Sequence, residues 1–299
     1  MNRQDILVQF QALQDRICEG LQAFDPLMVW QEDQWNRPGG GGGRSRAGKE
    51  GAIWQKGGVN FSDVHGVLNE ALRVQLKTKA SSFQATGVSL VLHPLNPHVP
   101  IVHMNVRHFR LDNGQEWFGG GMDLTPHYVE REEASLFHRS LKTICDQFDS
   151  SWYAAFKNLA DDYFYLPHRE ETRGVGGVFF DELGASPGAN LDQAFAFVQA
   201  IGNGFLPTYL PLVERKKDWA VQQRHLDWQN MRRGRYVEFN LVHDRGTRFG
   251  LVSNGRTESI LMSMPPHADW AYNHCPLDAS DEADTQAQLK KGMDWLGES

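Results

Sequence analysis

The chain is poor in cysteine, in unbroken apolar sequence and in positive charge, and each shortage excludes something. Three cysteines stand among 299 residues. Cys18, Cys145 and Cys275 are far apart, odd in number and free of any Cys-x-x-Cys pattern, which argues against a disulfide framework and against a thiolate zinc site. The expected compartment is reducing, the cytoplasm. No stretch of about 18 apolar residues exists, so no membrane span is expected. The formal charge is −7. An acidic chain without a basic stripe does not announce a nucleic-acid partner, and any anionic ligand must be met by a local group of arginines. No Gly-Lys-Ser/Thr phosphate loop and no dinucleotide fingerprint is present, which fits a reaction without an organic cofactor.

What the chain does have is core-building material. Hydrophobic residues make up 40%, with nine Trp and seventeen Phe, enough for a large core and against global disorder. Ile6, Leu7, Phe10, Leu13, Ile17 and Leu21 fall at helical spacing in an N-terminal segment (1–35) whose charges exclude a secretory signal. Residues 36–51 carry five consecutive glycines, and on composition they read as a flexible loop. That loop is either a plain linker or a mobile basic lid carrying Arg44, Arg46 and Lys49. Residues 62–78 read as a helix. Strands are expected at 86–92, 101–111 and 115–124, with a hairpin turn at Asn113-Gly114. Helices follow at 130–148 and 151–165, a strand at 174–182, and a helical stretch at 190–217 broken near Pro207 and Pro211. Residues 236–252 read as a second hairpin turning at Asp244-Arg245-Gly246, 258–264 as a strand and 281–296 as a polar helix. Hairpins dominate, and no linker follows residue 51. The expected fold is α+β: one domain, with a large antiparallel sheet flanked by helices on both sides.

The strand at 101–111 is the most informative segment. Strand side chains alternate, so His103, Asn105 and Arg107 share one face, about 6.6 Å apart, while Val102, Met104 and Val106 meet the core. A solvated sheet face is the bland explanation, but His, Asn and Arg together can hydrogen-bond a carboxylate and a heteroatom. Asp123 follows three glycines that let a flat ligand approach; by itself an Asp after glycines is a turn residue. Asp123 is expected to be ionised beside arginines, and Asp123→Asn is expected to leave stability equal or slightly raised. His93, His98, His103 and His108 recur every five residues, a spacing that alternates faces; His93 with His103, His138 and His168 could converge on a metal instead. Arg232, Arg233, Arg235, Arg245, Arg248 and Arg256 could complete a basic pocket with Arg107. These residues leave open a metal-dependent oxygenase or hydrolase, a non-catalytic anion binder and a dimerising scaffold.

The runs GGGGGRSR, GVSLVLHPLNPHVPIVHMNVRHF, WFGGGMDLTP, RGVGGVFFDEL, RRGRYVEFNLVHDRGTRFGL and ESILMSMPP resemble, in this order, the oxygen-dependent coproporphyrinogen III oxidases, in their bacterial form. The likeness spans about residues 30 to 275. It implies aerobic oxidative decarboxylation of two propionates of coproporphyrinogen III to vinyl groups, giving protoporphyrinogen IX for haem, with O2 as co-substrate. It implies a homodimer with its contact region near 236–271. Ser89, Asn105, Arg107, Asn254, Gly255 and Arg256 are implied as substrate-binding, and Val106, Asp244 and Arg245 are counted with them. Asp123 is implied as the acid facing the pyrrole nitrogens and His103 as a proton donor, with Arg107 beside them. His93, His103, His138 and His168 match positions proposed for a divalent metal in bacterial members.

Overall fold

Alternation along residues 101–111 sets the architecture. A computed structural model describes residues 2–186, 190–252 and 255–297. Six consecutive strands form a meander: β1 (Val29–Asn36), β2 (Gly41–Lys49), β3 (Trp54–Val67), β4 (Ser82–Pro94), β5 (Ile101–Leu111) and β6 (Glu116–Thr125). A small separate ladder pairs β7 (Tyr165–Leu166) with β8 (Glu171–Thr172). The strand β9 (Gly176–Leu183) then completes the large sheet beside β6, giving seven strands, all antiparallel to their neighbours.

One face of the sheet is the core. Val59, Val88 and Leu90 pack there against α1 (Arg3–Phe24), in one core with Val102, Met104 and Val106 of β5. The helices Glu70–Gln75 (α2), Arg131–Asp146 (α3), Trp152–Tyr163 (α4), Leu191–Asn203 (α5) and Phe205–Lys216 (α6) follow in chain order, and α3 to α6 close the same core through Phe137, Phe156, Phe197 and Tyr209. The opposite face has apolar clusters at its ends. Tyr236, from α7 (Gln223–Glu238), packs on Val91 and Ile101 at one end. At the other, Leu68 and Leu72 join Phe83, Phe109 and Leu111. A π-helical turn (Phe239–His243), α8 (Arg245–Val252) and α9 (Thr257–Leu261) lie over this face, and Ser259 of α9 meets Ser45 of β2 at 2.7 Å. A last helix, α10 (Asp281–Gln288), follows. Between the apolar ends lies a floor of small and polar side chains. The expected α+β class with helices on both faces is what the structure has.

Five local expectations give way. The glycine-rich stretch is a β-hairpin rather than a loop. Gly41 takes the turn at φ 81°, where a Cβ would lie 2.1 Å from the Asp63 carbonyl oxygen, and β2 is paired on both edges, which offsets the entropy cost of its glycines. Residues 62–67 extend β3, and the helix begins after Asn69, whose side chain accepts from the Leu72 N–H at 2.9 Å. Where strands were expected, Phe239–His243, Arg245–Val252 and Thr257–Leu261 are helical: Trp228, Arg232 and Tyr236 are buried at i, i+4 spacing on α7, so helical packing overrides the β propensity of VEFNLV. The helical stretch 191–216 breaks at Gly204, while Pro211 lies inside α6, and the C-terminal helix ends at Gln288 rather than near 296.

Candidate active site

Register alone assembles the floor. Ser45, Asn60, Ser89, Asn105 and Gly121 are successive cross-strand partners from β2 to β6. Beside that row, Val91 pairs with His103 and His103 with Asp123; on its other side Gly87 pairs with Arg107 and Arg107 with Gly119. A Cβ on Gly119 would lie 2.8 Å from the Arg107 guanidinium, so glycine here leaves the arginine room to lie across the strand. His103, Asn105, Arg107 and Ser89 are half-buried, open enough to meet a ligand.

The polar groups form one directed chain. Asp123 is 2% exposed, with His103 Nδ1 at 2.7 Å from Oδ1 and Arg173 Nη2 at 2.6 Å from Oδ2. Burial opposes its ionisation, yet Arg173 and His103 outweigh burial and hold the carboxyl below its ordinary value. An ionised carboxylate only accepts, so His103 Nδ1 donates and leaves Nε2 as the acceptor when the ring is neutral. Asn105 Nδ2 lies 3.4 Å from that Nε2, and Asn105 Oδ1 accepts from Arg107 Nη1 at 2.9 Å. Arg107 also meets the exposed Asp181 at 3.0 Å; a pair at the surface is weak, so an anionic ligand can replace it.

Arg173 had no assigned role in the sequence, where it is only the arginine before Gly-Val-Gly-Gly. It is buried with its guanidinium 4.5–4.7 Å from the rings of Phe164, Tyr236 and Phe239, an aromatic cage for a cation. Its Nη1 donates to Asn240 Oδ1 at 3.3 Å. Asp123 is thus paired, and both of its oxygens are engaged rather than free to meet a ring directly.

Other expected site residues are placed as follows. The Val106 side chain is in the core, on the far face, so it cannot touch a ligand on the floor. Asp244 accepts from Tyr163 at 2.7 Å and caps α8 through Thr247 N–H at 2.7 Å. Arg245 lies 5.0 Å above the Tyr163 ring, and Tyr163 stacks on Phe179, the β9 neighbour of Gly121. Arg256, next to Gly255, pairs with Asp33 on β1, the cross-strand partner of Ser45. Asn254 lies outside the described residues. Arg232 and Arg233 are buried on α7, bonded to Glu171 and to the Pro94 carbonyl, and do not join Arg107. Arg44 and Arg46 point away from the floor. On β2 the odd positions face the floor, and the arginines reach Asp15 of α1 at 2.7 and 2.8 Å. The basic-lid expectation fails for Arg44 and Arg46 on this alternation.

The four histidines do not suit one metal ion. His93 Nε2 meets the Ser263 carbonyl, His138 is held by Tyr153 and the Val175 carbonyl, and His168 by Glu238 and His243. Among the described residues no three His, Cys, Asp or Glu side chains cluster as metal ligands would.

A family model described as coproporphyrinogen III oxidase matches residues 5–295. The chain belongs to that family. It is accordingly an oxidoreductase of haem biosynthesis that oxidatively decarboxylates coproporphyrinogen III. No helix among the described residues is long and apolar enough to cross a membrane.

Proposed function

We propose that coproporphyrinogen III lies on the polar floor and that its propionates are decarboxylated beside His103. The observation that carries this reading is the continuous chain Arg107, Asn105, His103, Asp123, Arg173 along a half-open sheet face. Converting one propionate to a vinyl group breaks a C–C bond to release carbon dioxide and a C–H bond, and frees two electrons and a proton. Dioxygen takes the electrons. Arg107 binds a carboxylate of the substrate through its fork of N–H donors, with Asn105 and Ser89 beside it. Arg245, Gly255 and Arg256 approach from α8 and α9. The His103 Nε2 holds or moves the proton. Asp123 keeps the ring oriented and stabilises positive charge on it, and Arg173 keeps Asp123 ionised. No step passes through a metal.

Two further parts belong to this reading. Leu241, Val242, Leu251, Val252 and Leu261 are exposed within 236–271, an apolar surface that supports a homodimer formed through this segment. Three free cysteines, two of them buried, suit the cytoplasm. The test is a carbon dioxide assay with reduced coproporphyrinogen III in air and under nitrogen. Release in air only, lowered in Arg107→Ala, is expected. Undiminished release from both Arg107→Ala and His103→Gln would remove the floor from the reaction.

A further inference from the structure

A second cationic site lies away from the floor. A cavity of about 20 Å³, room for a single water-sized occupant, lies between α7, β8 and α10 and opens at the exposed His274 and Gln286. Arg232, Arg235, Glu171 and Trp228 line it as well. Arg232 is 3% exposed. Its Nη1 donates to Glu171 Oε1 at 2.9 Å, but its Nε and Nη2 have no hydrogen-bond partner among the described residues. A buried guanidinium with unmet donors is costly unless something accepts from them.

The charges do not close either. Glu171 serves both arginines, with Arg235 Nε at 3.6 Å. The other carboxylate near Arg235 is Glu238, at 3.2 Å, and it is shared with Arg169 at 2.6 Å and with His168. Three arginines therefore face two carboxylates. Burial lowers the Arg235 pKa most and Arg169 lowers it further, while Glu238 and Glu171 raise it.

We propose that this cavity binds one monatomic anion, of the class of chloride. A water can accept from Arg232 but does not neutralise it; an anion does both. The cavity is too small for a tetrapyrrole, and none of its lining residues belongs to the floor. Because α7 also carries Tyr236, which cages Arg173, occupancy steadies a helix that supports the floor.

The test is the melting temperature of the whole protein at constant ionic strength, with gluconate as the bulky filler and chloride titrated in, and bicarbonate as an anion too large for the cavity. A saturable rise of a few degrees with chloride, absent with gluconate alone, is expected. A response to bicarbonate as large as that to chloride contradicts the site. Arg232→Gln should abolish the response. If that variant does not fold, the exposed Gln286→Glu decides, since a carboxylate at the mouth should weaken the small-anion response about tenfold. Equal shifts with chloride, bicarbonate and gluconate, no shift at all, or an unchanged response in Gln286→Glu overturns the proposal.

Discussion

Two buried carboxylates in this protein have opposite fates. Asp123 and Glu133 are each 2% exposed, and each meets a cation at short range, Arg173 at 2.6 Å and Lys216 at 2.8 Å. The Asp123 pKa is lowered. The Glu133 pKa is pushed up to about 7, by burial first, with Lys216 pulling the other way and Glu130 adding to the rise. The difference lies in what else surrounds each pair. Asp123 has donors on both oxygens, and its arginine is seated among three rings. Lys216 is divided between Glu133 and Glu130 at 3.0 Å, and Glu133 Oε1 has no partner among the described residues. Burial therefore does not decide ionisation; the number of donors and competing carboxylates does. The catalytic reading of the floor depends on that distinction, because only an ionised Asp123 fixes the His103 ring with Nε2 toward the substrate.

The largest expected effect comes from breaking the better pair. Asp123→Asn should lower kcat by about 10²-fold or more, the scale of an electrostatic or acid–base group. It should also destabilise, by about 3–5 kcal/mol, because Arg173 is left as an unpaired buried charge; that corresponds to a Tm fall on the order of 10 °C. The sequence suggested the reverse for stability, since it did not reveal Arg173 as the partner. Denaturation and turnover measured together check both parts. Next comes Arg107, whose guanidinium is at the open end of the chain. Arg107→Ala should raise KM about tenfold or more, a charged hydrogen bond being worth about 1.5–3 kcal/mol. Arg107→Lys should recover only part, since lysine lacks the fork. An unchanged KM in Arg107→Ala removes it from the site.

The weaker pair gives a pH signature. Glu133 binds its proton more tightly folded than unfolded, so stability falls as pH rises from the ordinary value of 4.5 to about 7. Glu133→Gln should flatten the stability curve across that window and leave kcat near normal. Asp123 has the opposite sign: its contribution is complete above the ordinary value of 3.8 and is lost as pH falls through the lower folded value. Urea unfolding from pH 4.5 to 7.5 distinguishes the two, and a slope unchanged by Glu133→Gln contradicts the account of that pair.

The smallest effect expected is on the floor from Arg44→Ala. Arg44 faces α1, so KM should stay within about twofold while stability drops by no more than about 1 kcal/mol. A large rise in KM would restore the lid.

How far the sequence disclosed the site follows from which contacts are local. Strand alternation and the Asn113-Gly114 turn place His103, Asn105 and Arg107 on one face and Asp123 on the paired strand beside it, so that part of the floor was legible, while Ser45 and Asn60 were not. Arg173 was not, because the contact between residues 123 and 173 depends on how β9 returns beside β6, which no local pattern states. The segments 236–252 and 258–264 were misread as strands because Val, Phe and Tyr favour strands, whereas the burial of Trp228, Arg232 and Tyr236 follows helical spacing. The glycine hairpin was misread for the same kind of reason: pairing with β1 and β3 decides its conformation, and composition does not.

The most direct test removes both buried charges at once. In Asp123→Asn/Arg173→Met neither partner is stranded, so the protein should stay folded, with a Tm well above that of Asp123→Asn alone. Carbon dioxide release from coproporphyrinogen III in air should nevertheless remain at least about 10²-fold below that of the unmodified protein. A folded double variant that releases carbon dioxide at a near-normal rate would contradict the claim that the ionised Asp123 behind His103 drives the reaction.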